Sequence, residues 1–134
     1  MKRIFILIVM GVSLLSCGGN ASKTQMMADV KQADVTEVLY FHGKQRCVTC
    51  NAIERLTKEV IDSLANEKVV MKVIDLSKKE NEATADKYEV TWSSLILDHN
   101  GKVENLTDMG FSYAKGQPEV FKTRLVEAIT NMTK

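Results

Sequence analysis

The hydrophobic positions of this chain change their spacing from segment to segment, and each change marks an element. Val35 to Phe41 (VTEVLYF) ends in an almost unbroken apolar run with β-branched and aromatic residues, the pattern of a central strand buried on both faces. From Cys47 to Asn66, the residues Cys50, Ile53, Leu56, Val60, Ile61 and Leu64 recur at three- and four-residue intervals. That spacing predicts a helix with one apolar stripe, starting at the Cys-x-x-Cys. Val69 to Leu76 (VVMKVIDL) reads as a second strand, and Ser77 offers an N-cap for a short polar helix ending near Lys87. Strand, helix and strand in that order predict a parallel pair with a right-handed crossover. Ser94 to Asp98 and Lys102 to Leu106 flank His99, Asn100 and Gly101, and Asn-Gly between two such runs predicts an antiparallel hairpin. Pro118 suits a first helical position, and Val120, Phe121, Leu125, Ala128, Ile129 and Met132 continue a helical stripe from there. The predicted order is β-α-β-α-β-β-α, without internal repeats.

A different pattern stands at the N-terminus. Lys2 and Arg3 precede an apolar run from Ile4 to Leu15, broken only by Gly11 and Ser13, which is the charged flank and short apolar stretch of a secretory signal. A membrane-spanning helix needs about 20 apolar residues, more than this run supplies. It ends in LLSC, which resembles the lipobox of bacterial lipoproteins. The resemblance implies cleavage after Ser16, a diacylglycerol on the Cys17 sulfur and an acylated new amino group. At about 0.8 kcal/mol per buried methylene, several acyl chains hold a protein on a membrane without a transmembrane helix. Residues 1–16 are then a signal peptide and residues 17–33 a polar tether, in which Met26 and Met27 either begin a helical turn or pack on the domain. Residues 34–134 form the folded domain. The expected location is the periplasm, lipid-anchored to a bacterial membrane, and Gly18 and Gly19 show no acidic run of the kind that marks surface export.

Length and charge narrow the function. The 134 residues, 45% of them hydrophobic and 26% charged, suffice for one globular domain. A 6% aromatic content and a net charge of +1 give neither a basic groove nor stacking platforms, so nucleic acid is not an expected partner. With Lys2 and Arg3 removed from the 18 basic residues, against 17 acidic ones, the remainder carries −1.

Of the three cysteines, lipidation takes Cys17 and leaves Cys47 and Cys50. A disulfide between residues three apart closes too short a loop to restrict the unfolded chain much, so stability is not its purpose. A dithiol exchanges electrons when one thiolate is exposed and stabilised and a second can attack the mixed disulfide it forms. At a helix N-terminus, unpaired backbone N–H groups and the positive end of the dipole favour a sulfur anion at the first cysteine. Cys47 is the candidate nucleophile, with Arg46 and Lys44 adding positive charge, and Cys50 resolves. Such settings lower a thiol pKa from about 8.5 into the range 3.5 to 7.5. His42, five residues before Cys47, is a candidate base, charge partner or third metal ligand, against the plainer reading of a loop hydrogen-bond donor. Gly43 permits the turn from strand to helix. Glu54 either relays a proton or occupies a solvated helix face, and His99 is read as a turn residue without a role.

With the Cys-x-x-Cys at the turn from first strand to first helix, the order resembles a thioredoxin fold from Val35 onward. That implies an α/β protein built as a three-layer α/β/α sandwich with a mixed central sheet. Several residues depart from the thioredoxin pattern. Val48 and Thr49 between the cysteines include neither Gly nor Pro. Thioredoxins carry a cis-proline facing the Cys-x-x-Cys, whereas the only proline here is Pro118, and the matching stretch VTWSSLIL puts Ser93 or Ser94 at that place. Either serine brings an N–H and a hydroxyl beside the sulfurs and leaves room for a metal or metalloid to approach them. Phe41 falls about where thioredoxins hold a buried carboxylate, and Trp92 either borders the groove or caps the core.

The run YFHGKQRCVTCNAIE, with the later serine pair, is similar to a narrower family. These are small thioredoxin-like subunits, often lipoproteins of gut Bacteroidetes, assigned as nitrophenyl-compound nitroreductase subunits of arsenical-resistance operons. The similarity implies a part in reducing nitrated aromatic arsenicals together with membrane partners. Two readings stand at this point. In one, the chain is a membrane-anchored thiol–disulfide oxidoreductase or electron carrier, needing no cofactor, whose dithiol a membrane reductase replenishes. In the other, the two thiolates, alone or with His42, hold a soft ion such as Cu(I), Zn(II) or As(III) without redox turnover. A structural zinc site would need four ligands, and a second cysteine pair is missing. Whether the chain turns over as an enzyme, and whether it pairs with itself, is not legible in its residues.

Overall fold

The computed structural model describes residues 34–134. The expected signal peptide, Cys17 and the tether of residues 17–33 therefore lie outside the described residues. Strand β1 (Thr36–His42) occupies an interior position of a four-stranded sheet, and Val38, Leu39, Tyr40 and Phe41 are all buried, as a strand covered on both faces requires. Strand β2 (Val69–Asp75) pairs with it in parallel, Thr36 opposite Val69 and His42 opposite Asp75. On the other side lies β3 (Ser94–His99), antiparallel to β1, followed by β4 (Lys102–Asn105), antiparallel to β3. The sheet order is β2-β1-β3-β4.

Four helices cover the sheet among the described residues: α1 (Val48–Leu64), α2 (Glu82–Lys87), α3 (Thr107–Tyr113) and α4 (Pro118–Met132). Alternation along the strands sorts the core into two layers. Val38, Tyr40, Leu95 and Leu97 meet Ile53, Leu56 and Val60 of α1 and Phe121, Leu125 and Ile129 of α4. Leu39, Phe41, Ile74 and Ile96 face the opposite way, toward Ala85 of α2 and Val90. The result is the three-layer α/β/α arrangement with a mixed sheet. Among the described residues, no helix is long and apolar enough to cross a membrane.

Local chemistry explains the element boundaries. The apolar stripe of α1 runs out after Leu64, and Ala65 closes the helix in a left-handed conformation with φ 45°. Asn100 and Gly101, at φ 53° and 87°, make the two-residue hairpin turn between paired His99 and Lys102. Pro118 takes the first position of α4, where its missing N–H costs nothing.

Two expectations are corrected. Ser77 does not cap a helix. Its N–H (2.9 Å) and hydroxyl (2.7 Å) both donate to the Asp75 carboxylate, so the chain makes an Asx turn first. Only after a 3₁₀ turn at Lys79–Asn81 does α2 begin. Helix α3 was not expected at all. Its start is fixed by Asn105 Oδ1, which accepts from the Thr107 N–H at 2.9 Å, and by Thr107 Oγ1, which accepts from the Leu95 N–H at 3.1 Å. Gly110 lets α3 lie against α1, since a Cβ there would stand 3.2 Å from Ile53 Cδ1.

The end of the sheet that carries the hairpin turn is tied by polar contacts. Asp34, where the described chain begins, pairs with Lys68 at 3.0 Å and with His99 Nε2 at 3.3 Å, while His99 Nδ1 lies 3.0 Å from Thr36 Oγ1. His99, assigned nothing from sequence, thus fastens the start of β1. Asp98 is buried, and its carboxylate accepts from the Tyr88 hydroxyl at 2.6 Å, the Gly101 N–H at 2.9 Å and Lys87 Nζ at 3.4 Å. Burial alone would raise its pKa, but these donors together outweigh it and hold the carboxyl below the usual range.

A group whose folded pKa is depressed stabilises the fold above its unfolded pKa and loses that contribution as pH falls through the folded value. Asp98→Asn should therefore cost about 1–2 kcal/mol near pH 7, where charge-assisted hydrogen bonds become neutral ones. The gap from the parent should close in acid below about pH 4, as the parent's own carboxyl protonates. Urea midpoints measured across that range check both statements.

Candidate redox site

Cys47 is the N-cap of α1, with extended backbone angles (φ −83°, ψ 162°), and its Sγ accepts from the Cys50 N–H at 3.0 Å. Sulfur here plays the part that a serine or aspartate oxygen plays at other helix starts. The Cys47 carbonyl accepts the first helical bond, from the Asn51 N–H at 3.0 Å, and the first turn carries no acidic side chain to offset the dipole. Cys47 and Cys50 are joined as a disulfide, with Cα atoms 5.0 Å apart. The two sulfurs differ sharply in access: Cys47 is exposed, while Cys50 is only 5% exposed.

Below Cys50 lies Tyr40, whose hydroxyl donates to the Cys50 carbonyl oxygen at 2.9 Å. Burial pushes the Tyr40 hydroxyl pKa up, so the group is neutral at physiological pH. This corrects the expectation for Phe41. Period-two alternation turns Val38 and Tyr40 toward α1, whereas Phe41 faces the other layer, its ring 6.0 Å from that of Tyr88. A phenol therefore stands on the side facing the cysteines. Tyr40 was missed from sequence, and the same alternation counted along β1 is the signal that would have found it.

Arg46 forms an ion pair with Glu54 of α1, and its guanidinium lies 6.0 Å from the centre of the Tyr40 ring. The charge expected to serve Cys47 is thus already matched by a carboxylate, and Glu54 is neither on a free solvated face nor in a relay of hydrogen bonds to sulfur. Lys44 is exposed. His42 ends β1 with its Nδ1 3.0 Å from the Gly43 carbonyl oxygen and its ring 6.3 Å from that of Tyr40. Opposite it, the Asp75 carboxyl is held below its ordinary range, chiefly by the hydrogen bonds from Ser77 and in smaller part by the nearby His42. Among the described residues no group of three or more His, Cys, Asp or Glu side chains is placed to hold a metal ion. The contact of His42 with the Gly43 carbonyl is the loop hydrogen bond of its plainer reading.

The serine pair divides. Ser93 places Oγ 3.9 Å from Cys50 Sγ. Ser94 is buried in β3 opposite Phe41, and its hydroxyl donates to the Trp92 carbonyl at 2.9 Å. No described peptide bond is cis. Trp92 is 57% exposed, its ring 5.5 Å from that of Phe111 on α3, so it does not cap the core, and Val48 beside Cys47 is 70% exposed.

No family model matches the chain, and none of the curated proteins does. Among solved structures, the crystal structure of Trxlp from Edwardsiella tarda EIB202 aligns with a TM-score of 0.52 at 18% identity, covering 79% of this chain and 92% of that one. A second, described as the structure of a malarial protein, aligns with a TM-score of 0.47 at 22% identity, covering 68% and 98%. Together with the mixed sheet and its helix layers, the first likeness shows a thioredoxin-like fold.

Proposed function

We propose that this chain passes electron pairs through Cys47 and Cys50, as a thiol–disulfide oxidoreductase or electron carrier. The observation that carries the reading is the asymmetry of the two sulfurs: the exposed one accepts a backbone N–H at the start of α1, and the buried one stands behind it. From the oxidised form, a partner thiolate attacks Cys47 Sγ, and Cys50 leaves as a thiolate and takes a proton. A second partner thiol, deprotonated, then attacks the partner's sulfur in the mixed disulfide, and Cys47 leaves. The partner ends as a disulfide and the chain as a dithiol, with two electrons transferred. When Cys47 leaves, the Cys50 N–H already points at its sulfur, so the anion is met by a donor that needs no rearrangement.

The surroundings of this chemistry rest on sequence. The LLSC motif supports lipid attachment at Cys17 and a periplasmic place on a bacterial membrane, with a membrane reductase as the electron source. The similarity of YFHGKQRCVTCNAIE to nitrophenyl-compound nitroreductase subunits supports a nitrated aromatic arsenical as the eventual acceptor.

Equilibration against dithiol–disulfide buffers tests the reading. We expect a reversible two-electron transition with a midpoint within roughly −270 to −120 mV, the span of thioredoxin-like dithiols. A disulfide that yields only on unfolding would overturn it. For the anchor, labelled acyl chains should appear on the parent and be lost with Cys17→Ala.

A further inference from the structure

We infer that Glu54 is a positioning residue that tunes the reactivity of Cys47 by holding the Arg46 guanidinium against Tyr40, and this rests on the exchange reading above. Arg46 immediately precedes Cys47, outside the helix, while Glu54 lies two turns into α1. Side chains on a helix lean toward its N-terminus, so a glutamate there reaches back over the first turn. It meets Arg46 in an ion pair whose side chains are 29% and 32% exposed, less open to water than an ordinary surface pair. The guanidinium then sits over the Tyr40 ring, and Tyr40 donates to the Cys50 carbonyl. One continuous set of contacts thus runs from Glu54 through Arg46 and Tyr40 to the backbone of the second cysteine.

The effect on Cys47 follows from charge. The cation adjacent to the reactive sulfur has its own anion, so the thiolate is favoured by the helix start rather than by a free arginine. The other charged and titratable groups at this end of the sheet include Lys44 in the same loop, Tyr40 and His42 on β1, Asp75 at the end of β2 and Lys78 just beyond it. The stretch Thr91, Trp92 and Ser93 brings no charge. Glu54 is therefore the carboxylate paired with Arg46, and removing it should release a positive charge beside Cys47.

The test follows the pH dependence of Cys47 alkylation in the reduced full-length protein for the parent, Glu54→Gln, Arg46→Gln and the double variant. Glu54→Gln should lower the thiol titration midpoint by about 0.5–1 unit and Arg46→Gln should raise it by a similar amount, with the double variant returning near the parent. Opposed shifts that cancel support the inference. Midpoints unchanged in all variants, or shifted the same way by both single changes, overturn it and leave a surface ion pair. Thermal melts of the four reduced proteins separate charge from loss of fold. A parent Cys47 that titrates as a free cysteine would instead sink the exchange reading, whatever the variants do relative to it.

Discussion

Cys47→Ser abolishes exchange, with the rate on a small disulfide substrate falling by at least about a thousandfold, while Cys50→Ser leaves a protein that reacts once and stalls. Loss of a nucleophile removes the covalent route itself and not a fraction of its efficiency. The two variants differ because their sulfurs occupy different places. The Cys47 side chain is exposed at the helix cap and is the atom a partner can reach. Cys50 is buried behind it, so it completes a reaction begun elsewhere. Without Cys50, the mixed disulfide on Cys47 has no internal attacker and accumulates. Mass spectrometry of trapped partner adducts reads this directly: adducts on Cys50→Ser, none on Cys47→Ser. Equal trapping by both variants would show that the buried sulfur is reachable and that the assigned order of attack is wrong.

Phe121→Ala costs about 3–5 kcal/mol of folding stability, the largest effect we expect from a single side chain outside the site. Phe121 is wholly buried in the layer that α1 and α4 share with the sheet, where it belongs to the same core as Ile53, Leu56 and Leu125. Truncation removes most of a ring from a close-packed interior, and helices pinned on both sides leave little freedom to close the space. Because α1 contains Cys50 and has Cys47 as its N-cap, the loss reaches the site through the element that positions it. Urea unfolding of the oxidised protein gives the number. A change below about 1 kcal/mol would mean that this layer collapses around the gap, contrary to the packing described.

The elements legible in sequence are those whose signal is local. The stripe from Cys50 to Leu64, the apolar run of β1, Asn100-Gly101 and Pro118 each declare themselves within a few residues. Helix α3 did not, because seven residues carry too few apolar positions to establish a period, and its start depends on Asn105 and a buried Thr107 contact with β3. Ser77 was misassigned because an aspartate two residues earlier takes the serine's own N–H and hydroxyl and draws it into an Asx turn. At the site, the cysteine pair and their order of exposure follow from the helix start. The residue beneath them does not, since a slip of one position along a strand exchanges one face for the other, and Phe41 stood in for Tyr40. The Arg46–Glu54 pair was equally hidden, because a spacing of eight with one partner outside the helix matches no helical rule.

The clasp on Asp34 and the sulfurs occupy opposite poles of one strand. Asp34 is gripped by Lys68 and His99 next to Thr36, where β1 begins, whereas the loop to Cys47 leaves from His42, where it ends. Seven residues of extended chain separate the two by about 20 Å. The side-chain ties of Asp34 therefore act on the pole of β1 opposite the sulfurs, so a change at Asp34, Lys68 or His99 leaves the contacts around Cys47 and Cys50 untouched.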